Sequence, residues 1–204
     1  MALALNKTTL KQQRDQAKTY KQFLPSLDLK RQQLLAALKV AKRELEIIHA
    51  RIEELYRGLD QLFPLLGSST IATRNIASLV RVRRVLVEDE NVLGTQLPVV
   101  REVDFEVAEY STLVTPFWVD SLVTSLKELA ALRVQVLVGE RRVERLELAA
   151  RRITQRVNLF EKVLIPQAEE NVRRIVIFLS DQERAAVVRS KIAKSKKTAE
   201  VVSD

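Results

Sequence analysis

Across 204 residues the chain carries 34 Lys and Arg against 26 Asp and Glu, a formal net charge of +8, with 47% apolar residues. That is length for one or two ordinary domains and enough apolar material for a core. There is no cysteine, which excludes disulfides and thiolate metal sites, and only four glycines and five prolines, a composition suited to long helices.

Residues 1–25 are polar and basic with helical propensity, and they lack the long apolar stretch of a secretory signal. Pro25 predicts an early kink. The main first helix is predicted from about Ser26 to Leu62. Its inward positions are Leu34, Leu38, Ala41, Leu45, Ile48, Ile52, Leu55, Leu59 and Leu62, separated by alternating steps of 4 and 3. A mean spacing of 3.5 places them on one seam of a left-handed supercoil. Phe63, Pro64 and Gly67 oppose continuation, Gly67 to Thr70 reads as a turn, and a short helix is predicted from Ile71 to Leu79.

The period then changes. Val80, Val82, Val85 and Val87 are β-branched and partly alternate, and Glu88 to Asn91 reads as a polar interruption. Gly94 and Pro98 read as turn residues. Val103, Phe105 and Val107 alternate with Glu102, Asp104 and Glu106. Period two predicts strands, so residues 80–108 are expected to form a small β-hairpin. Two strands alone are marginal in water, so their apolar face needs the helices or a partner to cover it. The candidate partner surface is Val85, Val87, Val103, Phe105 and Val107.

Thr115 and Pro116 suit an N-cap and a first helical position. The second helix is expected to run to about Ser190. Its seam is Val119, Leu122, Leu126, Leu129, Leu132, Val136, Gly139, Val143, Leu146, Ala150, Ile153, Val157, Phe160 and Leu164, continuing at Ala168, Val172, Ile175 and Leu179. The consecutive four-residue steps around Leu164 form a stutter. Pro166 coincides with it, so a coil bend is expected near residues 162–168.

The predicted fold is mainly α, a long antiparallel two-helix coiled coil with a small middle domain containing a short β-hairpin. Its parts are an N-terminal coiled-coil helix (1–66), the middle domain (67–115), a C-terminal coiled-coil helix (116–190) and a basic tail (191–204). Such a rod has no pocket of its own, which directs attention to mechanical or interactive functions. No apolar run approaches the roughly 18–20 residues needed to span a bilayer.

The charge is unevenly placed. Residues 7–31 hold seven basic and two acidic side chains, residues 184–197 hold six basic and none acidic, and the rest of the chain sums to −3. An antiparallel hairpin brings these two clusters to one end, a basic tip suited to an acidic protein cavity, nucleic acid or anionic lipid. Nucleic acid is disfavoured, because only Tyr20 and Phe23 interleave with the basic residues and no recognition motif accompanies them.

Signs of catalysis are missing. His49 is the one histidine and has no companions for metal or acid–base work. Glu53 with Glu54, and Glu169 with Glu170, are sequence neighbours that diverge on a helix and read as solvated charges. No glycine-rich phosphate loop occurs, so no nucleotide or other cofactor is expected. Gly139 on the seam reads as a point of close helix approach. Phe117 and Trp118 read as anchors between coil and middle domain.

Arg156-Val157-Asn158-Leu159-Phe160-Glu161, followed by Ile165-Pro166, resembles the RVNxLExxxIP signature of the D subunit of V-type (A/V-type) rotary ATPases. Leu179, Glu183 and Arg184 fall on that family's LxxxER pattern. Residues 27–34 resemble its LLKxKRDxL stretch at Lys30 and Arg31, with Gln32 where Asp is usual and Ser26 near a usual Gly. The details look closest to the bacterial branch. The resemblance implies a non-catalytic central-stalk rotor shaft, cytoplasmic and peripheral to the inner membrane within its complex, that couples ATP hydrolysis or synthesis to proton or sodium transport. The implied partners are the catalytic A and nucleotide-binding B subunits, the small F subunit and the socket subunit of the membrane ring. On that reading Lys7, Lys11, Arg14, Lys18, Lys30, Arg31, Arg184, Arg189, Lys191 and Lys194 contact the catalytic hexamer. The alternative is a static coiled-coil adaptor or scaffold with a basic arm.

Overall fold

The computed structural model describes residues 4–60, 79–108 and 118–202, with side chains up to residue 195. Seam residue Leu62, the exit at Phe63 to Gly67, the turn to Thr70, the short helix from Ile71, the cap at Thr115 and Pro116, and Phe117 all lie outside the described residues. The elements are helix α1 (Lys7–Asp60), strands β1 (Val80–Val92) and β2 (Thr95–Val107), helix α2 (Trp118–Leu159), a π-helical turn (Phe160–Leu164) and helix α3 (Ile165–Val202). The fold is mainly α with a small hairpin in the middle, as the periodicities predict.

α1 begins well before the expected Ser26. Asn6 supplies the cap: its side-chain oxygen accepts from the Thr9 backbone N–H at 2.7 Å. Pro25 lies inside the helix without ending it. The Ser26 hydroxyl donates to the Phe23 carbonyl at 2.8 Å, beside the hydrogen bond that proline cannot make. The chain divides into two compact units, residues 31–152 and residues 1–30 with 153–204.

In the unit of residues 31–152, α1 and α2 pair antiparallel along the predicted seam. Leu34, Ala41, Ile52 and Leu59 of α1 are buried, as are Val119, Leu122, Val136, Leu146 and Ala150 of α2. The remaining described seam positions are half-buried. Each fully buried aliphatic contributes about 1.5–3 kcal/mol relative to exposure. The register is flanked by polar contacts: Arg51 donates to Glu128 at 2.9 Å, Lys42 lies 2.6 Å from Glu147, and Arg133 donates to the Tyr56 hydroxyl at 3.0 Å. At Gly139 the helices come close, since a Cβ there would meet Leu45 Cδ1 at 3.2 Å.

The hairpin belongs to the same unit. β1 and β2 are antiparallel and 13 residues each, longer than the short strands expected. Leu93 and Gly94 form the two-residue turn, with φ of 55° and 81°. Positive φ at both positions matches the twist of the strands, and Asn91 accepts from the Gly94 N–H at 2.8 Å. Register shifts leave Arg83 and Arg101 unmatched in the backbone pairing.

Two sequence expectations fail here. Glu88 to Asn91 does not interrupt β1, and Pro98 is not a turn residue but lies in β2 opposite Asp89. The acidic run is tolerated because arginines of α2 meet it. Arg145 donates to Asp89 at 3.1 Å and to the Gln96 carbonyl at 3.0 Å, while Arg142 approaches Glu90 at 3.8 Å. In a two-stranded sheet both strands are edges, so the missing proline N–H is accommodated. Leu97 has no exposed surface, and Pro98 is buried.

In the unit of residues 1–30 and 153–204, α1 presents Leu10, Gln13, Ala17, Tyr20, Leu24 and Leu27, again at alternating steps of 3 and 4 and all buried or half-buried. This part of the seam escapes the apolar pattern because Gln13 and Ala17 interrupt it. Across it, Asn171 donates to Gln13 at 3.0 Å, and the rings of Tyr20 and Phe160 meet edge-to-face at 5.3 Å. Lys21 pairs with Glu169. On the partner helix Ile153 and Val157 are buried, then Ile165, Ala168 and Ile175.

The expected stutter takes a different form. Its four-residue steps pass through Phe160 and Leu164, but these are only half-buried, while Ile165 is buried. From Ile165 onward the 3–4 alternation is regular. One extra residue therefore separates the two stretches, and the π-turn Phe160–Leu164 absorbs it, closed by the Ile165 N–H on the Phe160 carbonyl. α3 runs past the expected end near Ser190 to Val202.

Candidate interaction surfaces

Chemistry offers little among the described residues. No group of His, Cys, Asp or Glu there is placed to hold a metal ion. His49 is exposed. The adjacent glutamates are taken up by basic side chains: Glu54 by Arg51, Glu53 by Arg57, Glu169 by Lys21, and Glu170 by Arg173 and Arg174. No described helix is long and apolar enough to cross a membrane.

The net positive charge is concentrated in one unit. The unit of residues 1–30 and 153–204 has sixteen basic and nine acidic side chains in its sequence, against eighteen and seventeen in the other. Within it Lys7, Lys11, Arg14, Lys18, Lys30, Arg184, Arg189, Lys191 and Lys194 are exposed. Both helix termini contribute, and the ion pair of Lys7 with Glu183, at 3.9 Å, brings the start of α1 to α3. Arg31 differs. It belongs to the other unit and is half-buried, three residues before Leu34 on the seam spacing.

Where charges meet, the ionisation responds. The Lys42 ammonium, first by its hydrogen bond and then by its charge, holds the Glu147 carboxyl below the usual carboxylate range. Hydrogen bonds to Glu128 and Glu54 raise Arg51.

The hairpin divides into a covered part and an open part. Val107 and Val80 pack on a core of Leu59, Trp118, Val119, Leu122 and Val123, so Val107 is engaged with the chain's own helices. Trp118 anchors that junction, as its position in the sequence predicts. Val85, Val103 and Phe105 are half-buried, and Val87 is 43% exposed. Val82 and Leu86, absent from the sequence-derived set, are exposed as well, at 42% and 37%. Their β-branched and apolar character in a charged strand was the available signal. Arg142 and Arg145, which grip the hairpin, carry no such signal, because their partners lie some fifty residues away in sequence.

Paired helices with a heptad seam and a docked hairpin define a helical protein that works through its surfaces. The chain matches the family of the ATP synthase D subunit over residues 9–195. The V-type ATP synthase D subunit of Borreliella burgdorferi is 34% identical over 193 residues, 95% of this chain and 94% of that protein. Its counterparts of the same name from Chlamydia pneumoniae and Chlamydia muridarum are 31% and 32% identical, covering 94% and 95% of this chain and 91% and 95% of theirs. The chain belongs to the ATP synthase D-subunit family, a non-catalytic subunit of the V-type ATP synthase complex.

Proposed function

We propose that this chain is the central-stalk rotor shaft of a V-type ATPase or ATP synthase. It couples nucleotide turnover in a hexamer of catalytic A and nucleotide-binding B subunits to proton or sodium transport. The observation that carries this reading is the seam. In each unit two antiparallel helices are held by the same alternating 3–4 spacing, which supplies the torsional stiffness that transmitting torque requires. Family membership supplies the complex in which such stiffness has a use. The working place is cytoplasmic, at the membrane surface as part of the complex.

The excess of positive charge in the unit of residues 1–30 and 153–204 supports a contact of that unit with the hexamer. Lys7, Lys11, Arg14, Lys18 and Lys30 from one terminus, with Arg184, Arg189, Lys191 and Lys194 from the other, provide the contact; Arg31 contributes through its half-buried stem. Long, solvated basic side chains attract an acidic wall without locking to one geometry, which suits a shaft that must turn. The open part of the hairpin, Val82, Val85, Leu86, Val87, Val103 and Phe105, faces the small F subunit or the socket subunit of the membrane ring.

The test is a binding titration against the A and B hexamer at low and moderate salt. The intact chain is expected to bind more weakly as salt rises. A variant lacking residues 184–204, with the charges of residues 7–21 neutralised, is expected to bind weakly at every salt concentration and to leave hairpin-side partners bound. Equal, salt-independent affinities would remove the assignment of the basic unit to the hexamer. Failure of the intact chain to recover any nucleotide-binding hexamer would favour a static adaptor.

A further inference from the structure

Val157 and Ile165 are both buried and lie eight positions apart, where a heptad takes seven. The surplus residue is stored in the π-turn Phe160–Leu164, and Pro166 follows the Ile165 that closes it. We propose that Pro166 pins this π-turn, so that Ile165, rather than Leu164, holds the seam there.

Hydrophobicity alone does not fix the position of the surplus residue. Placed before Ile165, it gives the observed seam of Ile165, Ala168, Val172, Ile175 and Leu179. Placed one turn later, it leaves Phe160 and Leu164 on the seam and still reaches Ala168. Both alternatives are apolar, and Phe160 and Leu164 are indeed half-buried. π-Turns of this kind move along a helix by exchanging one i→i−5 hydrogen bond for the next.

The backbone breaks the tie. The closing bond runs from the Ile165 N–H to the Phe160 carbonyl. A shift by one residue toward the C-terminus needs an N–H at position 166 to reach the Glu161 carbonyl, and proline has none. A shift toward the N-terminus restores an ordinary α-turn before Pro166, in which its ring meets the carbonyl of Lys162. The π-turn is therefore blocked on one side by a missing donor and on the other by a steric clash.

What the pin protects is specific. A migrating π-turn changes the facing only of the residues it passes, each by about 100°. Ile165, now buried, would leave the seam and Leu164 would take its place, while Ala168 and Ile175 beyond the turn keep theirs. The part-buried bond from Asn171 to Gln13 fixes the register beyond the turn, as polar seam residues do in coiled coils, so the two alternatives differ only at the turn itself.

The experiment is hydrogen–deuterium exchange of the full chain, comparing wild type, Pro166→Ala, and Pro166→Ala with Val163 deleted. Val163 is 48% exposed, so its removal takes out the surplus residue without emptying the seam. In the wild type, weak protection is expected only over residues 160–165. In Pro166→Ala it is expected to spread past position 166, with exchange about tenfold faster over residues 167–171. In the deletion variant the heptad is unbroken, and protection is expected to be uniform from residue 157 through the former 172. If Pro166→Ala exchanges as wild type does, the seam alone positions the π-turn and the pin is refuted. Loss of protection over residues 165–179 in the deletion variant would show that the eighth residue is no surplus, which also overturns the proposal.

Discussion

At the scale of single residues, burial separates neighbours that the sequence makes look alike. Leu146 is 1% exposed on the seam, and Leu148, two positions later, is 47% exposed. Leu146→Ala is expected to cost about 2–5 kcal/mol, while Leu148→Ala stays within about 0.5 kcal/mol, as measured by chemical denaturation. Gly139→Ala sets two effects against each other. Alanine favours the helix by about 1 kcal/mol, but its Cβ meets Leu45 Cδ1 at 3.2 Å. Near-neutral stability is expected in the wild type, and a clear gain once Leu45→Ala has opened the space. Equal effects in both backgrounds would mean that Leu45 does not oppose the new methyl group. Glu147 gives a pH dependence with a definite sign. Its folded-state pKa is lowered by Lys42, so its contribution is present above the unfolded carboxylate pKa and lost as pH falls through the depressed folded value. That acid loss is expected to shrink in Glu147→Gln, in denaturation curves taken across a pH series. The pair is solvent-exposed, so the effect should be small and fade with added salt.

At the scale of elements, the hairpin shows how a two-stranded sheet persists. Its turn demands positive φ at Leu93 and Gly94, which glycine adopts without cost and other residues do not. Gly94→Ala is expected to destabilise the hairpin by about 1 kcal/mol, read as faster amide exchange in β1 and β2. The helices supply the rest. Leu97 is fully covered, and Arg145 holds both Asp89 and the Gln96 carbonyl. Arg145→Ala should loosen the turn end of the hairpin, near Asp89 and Gln96, and leave the Val80–Val107 end protected, because that end is packed on the Trp118 cluster. Uniform loosening of both ends would show that the arginine clamp and the apolar base act as one unit.

For the whole molecule, the division into two units predicts where damage stays local. Replacing residues 81–106 by a short turn strips cover from the unit of residues 31–152 and is expected to lower its stability. The Gln13–Asn171 and Tyr20–Phe160 contacts belong to the other unit and should be preserved. Exchange protection of residues 165–179 is the measurement. Its loss on hairpin replacement would show that the two units unfold together.

The sequence determined by itself which faces of the helices turn inward between Leu34 and Leu59 and between Val119 and Val157, because period 3.5 leaves one consistent seam. It determined the hairpin too, because strict alternation through Phe105 has no helical reading. The family signature around Arg156 to Pro166 was legible as a local string of residues. Tertiary structure decided what depends on groups remote in sequence. The seam at Gln13, Ala17 and Tyr20 became visible only through its partners Asn171 and Phe160, since polar and small residues carry no apolar period. The strand through Glu88 to Asn91 required arginines from α2 to neutralise it. Val107 passed from candidate partner surface to a residue packed against the Trp118 cluster. The choice between a stutter through Leu164 and a π-turn before Ile165 lay with the backbone: both place apolar residues on the seam, and only hydrogen-bond geometry beside a proline distinguishes them.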